Sequence, residues 1–211
     1  MNKKLTLPQT IIITLFCIMM ILAIFNMPQL GIFSIGVSAL FVVIATLSDS
    51  KGIFISIAMV ILGLVLFIKP IYIFDICLNF IIPGIIIGMI TKNVLNHRED
   101  NKYNPIFMGT IAFIIGLIAN YLISKYLFNI NILEEFTSVM KTQLSTQISA
   151  IQESVSSLAS VSNITEESII QTVLNIMPLI LFSRSIMLSI LTYFLAIYTL
   201  KKIRKNDLKE K

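Results

Sequence analysis

The sequence predicts an all-α polytopic membrane bundle with six transmembrane helices and one external amphipathic helix. Of the 211 residues, 56% are hydrophobic and only 13% are charged, whereas a soluble domain is about half apolar and about a quarter charged. The apolar residues form long uncharged runs such as Thr10–Phe25 and Gly52–Ile68, which are typical of membrane spans. We therefore expect a single membrane domain over residues 1–211, and the composition excludes a water-soluble fold.

Six apolar segments are close to the length needed to cross a bilayer core of about 30 Å, since an α-helix rises about 1.5 Å per residue. Prolines or short polar stretches separate them, and Pro178 is expected to open the last span. The second and third segments are short and closely joined. The predicted spans are residues 9–26, 30–47, 52–68, 71–91, 105–128 and 178–200.

Basic residues are divided unequally between the two sides of this predicted bundle. With the N-terminus inside, 12 of the 16 basic residues are cytoplasmic, namely Lys3, Lys4, Lys51, Lys92, Arg98, Lys102 and the six in the basic tail 201–211. The other four are Lys69, Lys125, Lys141 and Arg184. The positive-inside rule therefore predicts a multi-pass protein of the bacterial cell membrane with both termini in the cytoplasm. Because basic residues hold loops on the cytoplasmic side, the net charge of +5 does not indicate nucleic-acid binding, and we expect no nucleic-acid partner.

An external amphipathic helix is predicted over residues 134–161, between the fifth and sixth spans. From Phe136 to Leu158 apolar residues recur every three or four positions, while Ser, Thr and Gln occupy the other faces. Three interpretations are compatible with this pattern: packing on the outer membrane surface, a lid over the mouth of the bundle, or disorder. The stretch Ser162–Thr165 is expected to form a break and a helix N-cap, followed by a helix that has Glu166 and Glu167 in its first turn and runs toward Pro178.

Two ionisable residues lie inside predicted spans, where an ionised side chain costs about 2.5–3.5 kcal/mol at mid-depth. Asp75 and Arg184 lie at matching depths, roughly 6 and 8 Å below the predicted outer boundary. Three interpretations remain open. Each side chain reaches interfacial water or headgroups separately, the two form a structural ion pair, or both face a ligand.

Two asparagines form a deeper polar layer. Asn79 lies one turn beyond Asp75 on the same helix face, and Asn120 of the fifth span reaches a similar depth. Both amides need partners, which interhelical hydrogen bonds would supply. Alternatively, Asp75, Asn79, Asn120 and Arg184 line an outward-opening ligand pocket among the fourth, fifth and sixth spans.

Small residues predict where helices pack closely. Gly84 and Gly88 form a GxxxG pattern directly after Pro83, which is expected to kink the fourth span. A stripe of small residues runs along the fifth span, and we expect the two faces to pack together. The stripe includes Gly109, Ala112, Gly116 and Ala119.

Motifs for catalysis, cofactor binding or metal binding are absent from the sequence. There is no phosphate-binding glycine loop, no zinc motif, and a single histidine, His97. Cys17 and Cys77 lie on different apolar segments, so we expect free thiols rather than a disulfide. We therefore expect no enzyme activity, no cofactor and no metal site.

Several features in order resemble the YybS-like family of uncharacterised bacterial membrane proteins. They include the turn Pro28–Gly31, the run Pro83–Gly88, the stretch Asn131–Phe136 and a last span that ends in Lys201-Lys202-Ile203-Arg204. That family is similar to the substrate-capturing S-components of energy-coupling-factor transporters, which have six spans and an external ligand pocket. S-components often carry an Ala-x-x-x-Ala docking face on the first span, and the nearest match here is Thr10–Thr14.

Two functional hypotheses follow. The resemblance implies a small-molecule binding and uptake subunit with an outward-facing pocket, whose partner is a transport ATPase complex. The alternative is a membrane scaffold or regulator that engages another membrane protein or lipid through its external helix and basic tail. Both place the chain in contact with the lipid bilayer.

Overall fold

The computed structural model describes residues 4–96, 101–154 and 166–207; most of these residues are helical, and none of them lies in a strand. The chain divides into two compact units, Met1–Asn120 with Arg184–Lys211, and Tyr121–Ser183. The helices are α1 (Leu7–Asn26), a 3₁₀-helix (Pro28–Phe33), α2 (Ser34–Leu47), α3 (Ser50–Val65), α4 (Pro70–Ile76), a π-helix (Cys77–Ile81), α5 (Ile82–Asn96), α6 (Asn104–Tyr126), α7 (Ile132–Ser154) and α8 (Glu166–Asp207).

Five helical stretches are long and apolar enough to cross a membrane. They are Leu7–Asn26, Gln29–Leu47, Pro70–Asn96, Asn104–Tyr126 and Glu167–Ile203. The third predicted span, residues 52–68, corresponds to α3, an apolar helix of 16 residues, whose length is about 24 Å. The prediction of an all-α polytopic membrane bundle is confirmed, and its third helix is shorter than a standard span.

One end of the larger unit gathers basic residues from several helices. The Lys4 ammonium lies 3.1 Å from the Asp49 carboxylate, which joins the start of α1 to the α2–α3 turn. At the same turn the Lys92 ammonium donates to the Ser48 carbonyl at 2.8 Å, which brings in the end of α5. We call this the basic end of the bundle. The sequence correctly grouped Lys4 and Lys92 on one side.

Contacts at the two ends define how the chain runs. At the basic end the Tyr193 hydroxyl donates to the Lys102 carbonyl at 3.3 Å, which connects the last third of α8 to the approach to α6. At the opposite end the rings of Phe25 and Tyr72 meet edge to face, with centroids 5.4 Å apart. The helices α1, α2, α3 and the continuous α4–α5 segment therefore alternate in direction. Among the described residues of the larger unit, α6 begins near the basic end, and the part of α8 that contains Tyr193 lies beside it.

The helix α2 forms the centre of this unit. Between Val37 and Leu47 every residue except Leu40 is buried, as expected for a helix that is apolar on all faces and surrounded by protein. In contrast, α1 exposes large apolar side chains such as Ile12, Phe16 and Met19 on its outer face. Such a surface suits contact with lipid chains.

The GxxxG residues pack against α2, so the predicted packing of this face against the fifth span is wrong. A Cβ atom added to Gly84 would lie 2.5 Å from the Ser38 carbonyl oxygen, and one added to Gly88 would lie 2.6 Å from the Val42 carbonyl oxygen. Because α5 exposes small residues here, its backbone approaches α2 closely. The sequence pattern identified a close-packing face but carried no information about its partner.

The small-residue stripe on α6 packs on a different face of the fourth span. A Cβ atom on Gly109 would meet the side chains of Ile87 and Ser189, and one on Gly116 would meet the Leu78 carbonyl. Ala112 of the same stripe is buried. Gly109 and Gly116 therefore let α6 approach the fourth span, and Gly109 also lets it approach α8.

The last helix begins earlier than predicted. The sequence predicts that Pro178 opens the last span, yet α8 is a continuous helix of 42 residues from Glu166 with Pro178 inside. The predicted helix start, with Glu166 and Glu167 in the first turn, is confirmed. A proline within a helix removes one backbone hydrogen bond but does not require the helix to start there. The helix expected to run toward Pro178 and the last span are thus one element.

In the smaller unit, the structure confirms a helix in the predicted external segment. The preceding helix, α6, ends at Tyr126. Just after it Asn129 has a φ of 54°, and the Ile130 N–H donates to the Ser124 carbonyl at 2.9 Å, so a residue in the left-handed conformation closes the helix end. The amphipathic helix α7 then runs over Ile132–Ser154 with Glu134 and Glu135 in its first turn. The predicted continuation to residue 161 and the predicted cap at Ser162 lie outside the described residues, as do Lys3, His97 and Arg98.

Candidate functional site

The carboxylate of Asp75 is the centre of a polar cluster at the end of the bundle opposite the basic end. The Asn79 amide donates to Oδ1 of Asp75 at 2.6 Å, and the Asn120 amide donates to the same oxygen at 2.7 Å. Lengths this short are typical of hydrogen bonds to an ionised acceptor. The first bond joins successive turns of one helix, and the second joins the fourth span to α6. The structure thus brings together three of the four predicted site residues.

A π-helix directly after Asp75 shapes the cluster. Pro83 has no N–H and its ring crowds the preceding turn, and the helix widens just before it. The Ile82 N–H donates to the Cys77 carbonyl, five residues back, instead of to the Leu78 carbonyl. The sequence predicts a kink of the fourth span at Pro83, and the structure shows one wide π turn directly before this proline. Single π turns within α-helices are frequent at functional sites.

Gly116 allows α6 to approach this wide turn. A Cβ atom at this position would overlap the Leu78 carbonyl, so only glycine leaves room for the carbonyl against the α6 backbone. Asn120 follows Gly116 by four residues and lies on the same helix face. The close approach at Gly116 therefore holds Asn120 within reach of Asp75.

Arg184 of α8 completes the predicted set and acts on Asp75 at a distance. The guanidinium exerts an electrostatic influence on the Asp75 carboxylate, but the two described side chains form no direct ion pair within 4.0 Å. Its side chain is exposed. Asp75 and Arg184 both line one cavity of about 600 Å³. The similar depths counted for Asp75 and Arg184 from the sequence therefore identified two charged side chains that line the same cavity without direct contact.

The walls of the cavity come mainly from helices that the sequence did not connect with the site. Besides Asp75 and Arg184, the lining includes Ser34, Tyr72 and Gly31, and the apolar residues Ile21, Ile24, Phe25, Val37, Ile76 and Phe80. The predicted pocket among the fourth, fifth and sixth spans is therefore incorrect in its walls, because α1, the 3₁₀-helix and α2 contribute much of the lining.

Asn79 and Asn120 are not part of this lining. Asn79 is only 7% exposed, and both amides act on the cavity through Asp75, whose carboxylate they hold. Their position behind the carboxylate makes them positioning residues rather than wall residues. The sequence offered no signal for the apolar walls, because apolar residues occur along all of the spans.

Groups that bind metals in proteins are not clustered in the described part of the chain. No three His, Cys, Asp or Glu side chains among those residues are placed to share an ion. Cys17 and Cys77 are free thiols, as predicted, and Cys17 is buried. The side chains that line the cavity thus supply one carboxylate, one guanidinium, the hydroxyls of Ser34 and Tyr72, and a mainly apolar wall.

Comparison with known proteins connects the chain to one family. No curated protein and no solved structure matches it significantly. A family model described as "Predicted membrane protein (DUF2232)" matches residues 14–210, which is nearly the whole chain. The five long apolar helices agree with that description. The chain therefore belongs to the DUF2232 family of membrane proteins.

Proposed function

We propose that this protein binds a small molecule in the cavity between Asp75 and Arg184 and serves as an uptake subunit similar to an S-component. The observation that carries the proposal is the placement of two opposite charges in one cavity of about 600 Å³. Ligand sites in proteins commonly measure about 300–1,000 Å³ and combine apolar walls with a few convergent polar groups. This role requires no catalytic residue and no cofactor, and we propose that the protein is not an enzyme.

The hydrogen bonds of Asp75 support binding rather than a purely structural ion pair. Two amides hold the carboxylate in place, as expected for a group that is oriented before its ligand arrives. A structural pair between Asp75 and Arg184 would gain most from direct, forked hydrogen bonds, and no such contact joins them. Each charge therefore retains capacity for another partner.

The orientation of the bundle supports uptake from outside. Lys4 and Lys92 lie at the basic end, which the positive-inside rule assigns to the cytoplasm. Asp75 and Arg184 lie toward the other end, so in a bacterial cell membrane the cavity would face outward. With six passes both termini would be cytoplasmic.

A transport partner would need a docking face other than the one suggested by the S-component pattern. Thr10 and Thr14 are buried, and their hydroxyls bond to Ser48 and Ser56 at 3.2 and 2.9 Å. The face that resembles Ala-x-x-x-Ala therefore packs inside the bundle. We propose that an ATPase complex, or another membrane protein, contacts the exposed outer surface of the bundle instead.

A second candidate function is a membrane scaffold or regulator. It is favoured by α7, which is amphipathic and leaves the side chain of Val139 56% exposed, and by the basic tail. In that case α7 would bind a partner protein or the lipid surface, as a lid or as a surface helix. This function would not depend on the charges of the cavity.

Purification of the protein from its host in mild detergent tests the two functions. Native mass spectrometry of the purified protein should show a co-purifying small molecule, and Arg184→Gln should lose it. Lys69→Gln is the matched control, because it removes a basic side chain that does not line the cavity. A protein partner without any small molecule in the wild type would contradict binding and support the scaffold.

A further inference from the structure

The two charges of the cavity define the class of molecule that it fits. Asp75 and Arg184 carry opposite charges, line the same cavity and make no direct ion pair. We infer that the ligand is a small apolar zwitterion of the amino-acid type, with an ammonium on Asp75 and a carboxylate on Arg184. The inference rests on the proposed binding function and specifies its substrate class.

Asp75 is suited to an ammonium group. Its two hydrogen bonds from amides both end on Oδ1, whereas an ionised carboxylate has about four acceptor positions over its two oxygens. Acceptor capacity therefore remains for a ligand N–H. Since Asn79 and Asn120 hold the carboxylate from behind, an ammonium can approach it from the cavity without displacing them.

Arg184 is suited to a carboxylate group. The guanidinium presents several N–H donors in a planar fork that matches the two oxygens of a carboxylate. Its side chain is exposed and extends from α8 into the cavity lining. A bidentate contact with a ligand carboxylate would fix this long side chain and pair its charge.

Charge balance excludes simpler ligands. With both side chains ionised the cavity has no net charge, and a zwitterion pairs both of them. A ligand with only a positive group would leave Arg184 unpaired and repelled, and a ligand with only a negative group would do the same to Asp75. The cavity therefore discriminates against cations and anions because each of them leaves one of its two charged side chains without a counter-charge.

The remaining wall is suited to an apolar side chain. Aliphatic and aromatic side chains from α1, α2 and the fourth span surround the charges, and the rings of Phe25 and Tyr72 meet at its edge. Burial of an apolar group against them contributes about 25 cal/mol per Å² of apolar surface removed from water. Leucine and phenylalanine are therefore better probes than glycine or serine.

The test measures equilibrium binding of radiolabelled L-leucine and L-phenylalanine to the full-length protein in lipid nanodiscs. Saturable binding of at least one probe is expected. Competition by leucine methyl ester, which lacks the carboxylate, and by N-acetyl-leucine, which lacks the ammonium, should each be at least about tenfold weaker than by leucine, which corresponds to about 1.4 kcal/mol. These analogues test the wild-type protein and so do not depend on the folding of a variant.

Variants then assign each charge. Asp75→Asn and Arg184→Gln should each weaken leucine binding by at least about tenfold. The controls are Asp49→Asn and Lys69→Gln, which remove the same charges at positions outside the cavity lining, and they should bind leucine as the wild type does. Equal binding by Arg184→Gln and Lys69→Gln would overturn the inference.

A parallel screen separates failure of the inference from failure of the proposed function. A mixed library of cations, anions and neutral solutes is tested by thermal stabilisation of the same nanodisc sample. If neither amino acid binds but a library compound does, and only one of Asp75 and Arg184 matters, the zwitterion is refuted while small-molecule binding stands. If no compound binds and the cavity holds only lipid, both are refuted.

Discussion

Substitution of Gly88 by alanine should destabilise the bundle, because this residue lies where α5 meets the central helix α2. A Cβ atom there would lie 2.6 Å from the Val42 carbonyl oxygen and 2.6 Å from the Ala45 Cβ, whereas ordinary contact begins at 3.4 Å. The two helices would therefore have to separate locally by about 0.8 Å. All three residues are buried, so no flexible side-chain end is available to move aside.

The expected cost follows from two opposing terms. Overpacking of a well-packed interior costs about 1–3 kcal/mol. Replacement of glycine by alanine inside a helix regains about 0.5–1 kcal/mol. The separation would also lengthen the hydrogen bond from Thr46 to the Gly88 carbonyl, which is already 3.2 Å. We expect a net loss of about 1–2 kcal/mol, or a fall in unfolding temperature of roughly 2–8 °C.

Thermal unfolding of the purified protein in one detergent measures this effect. Gly63→Ala is the matched control, because the added Cβ would meet only the flexible end of Ile18, at 3.0 Å. Its free energy of unfolding should equal that of the wild type or exceed it by up to about 1 kcal/mol, because alanine is the better helix former. If Gly88→Ala is as stable as the wild type, the close α2–α5 contact does not exist as described.

Three further predictions concern the site, the topology and the dynamics. Asn120→Ala removes one amide from Asp75 and should cost about 0.6 kcal/mol of stability and at most about 1.7 kcal/mol, the average and the maximum for hydrogen bonds between membrane helices, in the same thermal assay. A cysteine introduced at Lys69 in a cysteine-free background should react with an impermeant reagent added to intact cells, and one introduced at Lys102 should not, because the two lie at opposite ends of the bundle. Amides of α7 should exchange with deuterium before those of the buried helix α2, since helices with little buried apolar surface open more readily.

Each of these predictions has a contrary outcome. For the site, Asn96→Ala is the control at an exposed position, and equal stability of both alanine variants would show that the Asp75 bond contributes nothing. For the topology, labelling at Lys102 but not at Lys69 would reverse the orientation. For the dynamics, protection of α7 equal to that of α2 would contradict both the lid and the membrane-surface interpretations.

The sequence predicted the membrane bundle well because its signals are local. Uncharged runs set the lengths of the spans, and the largest difference between predicted and observed helix bounds lies at Pro178, the predicted start of the last span. Pro178 illustrates the difference, since a proline is compatible with the first turn of a helix and also with its interior when neighbouring groups compensate. Composition alone does not separate these cases.

The candidate site was predicted in part, for a different physical reason. Charged and amide side chains are rare in membrane spans because placing them there costs free energy. That rarity alone identified the four polar residues of the site, Asp75, Asn79, Asn120 and Arg184. Their depths could be counted along each helix. The partner of Gly88 and the apolar walls of the cavity depend instead on how helices are arranged around each other, and in a uniformly apolar sequence many arrangements bury similar surfaces.

The wide turn after Asp75 also has a geometric consequence for the fourth span. A π turn contains one residue more than the regular hydrogen-bond ladder of the helix requires. Because one residue corresponds to about 100° of rotation about the helix axis, the wide turn offsets the face before it from the face after it by about that angle. Gly84 and Gly88 hold the following part against α2, and Asn120 bonds to Asp75 on the preceding part. The extra residue thus lets one span present its glycines to α2 and its carboxylate to α6.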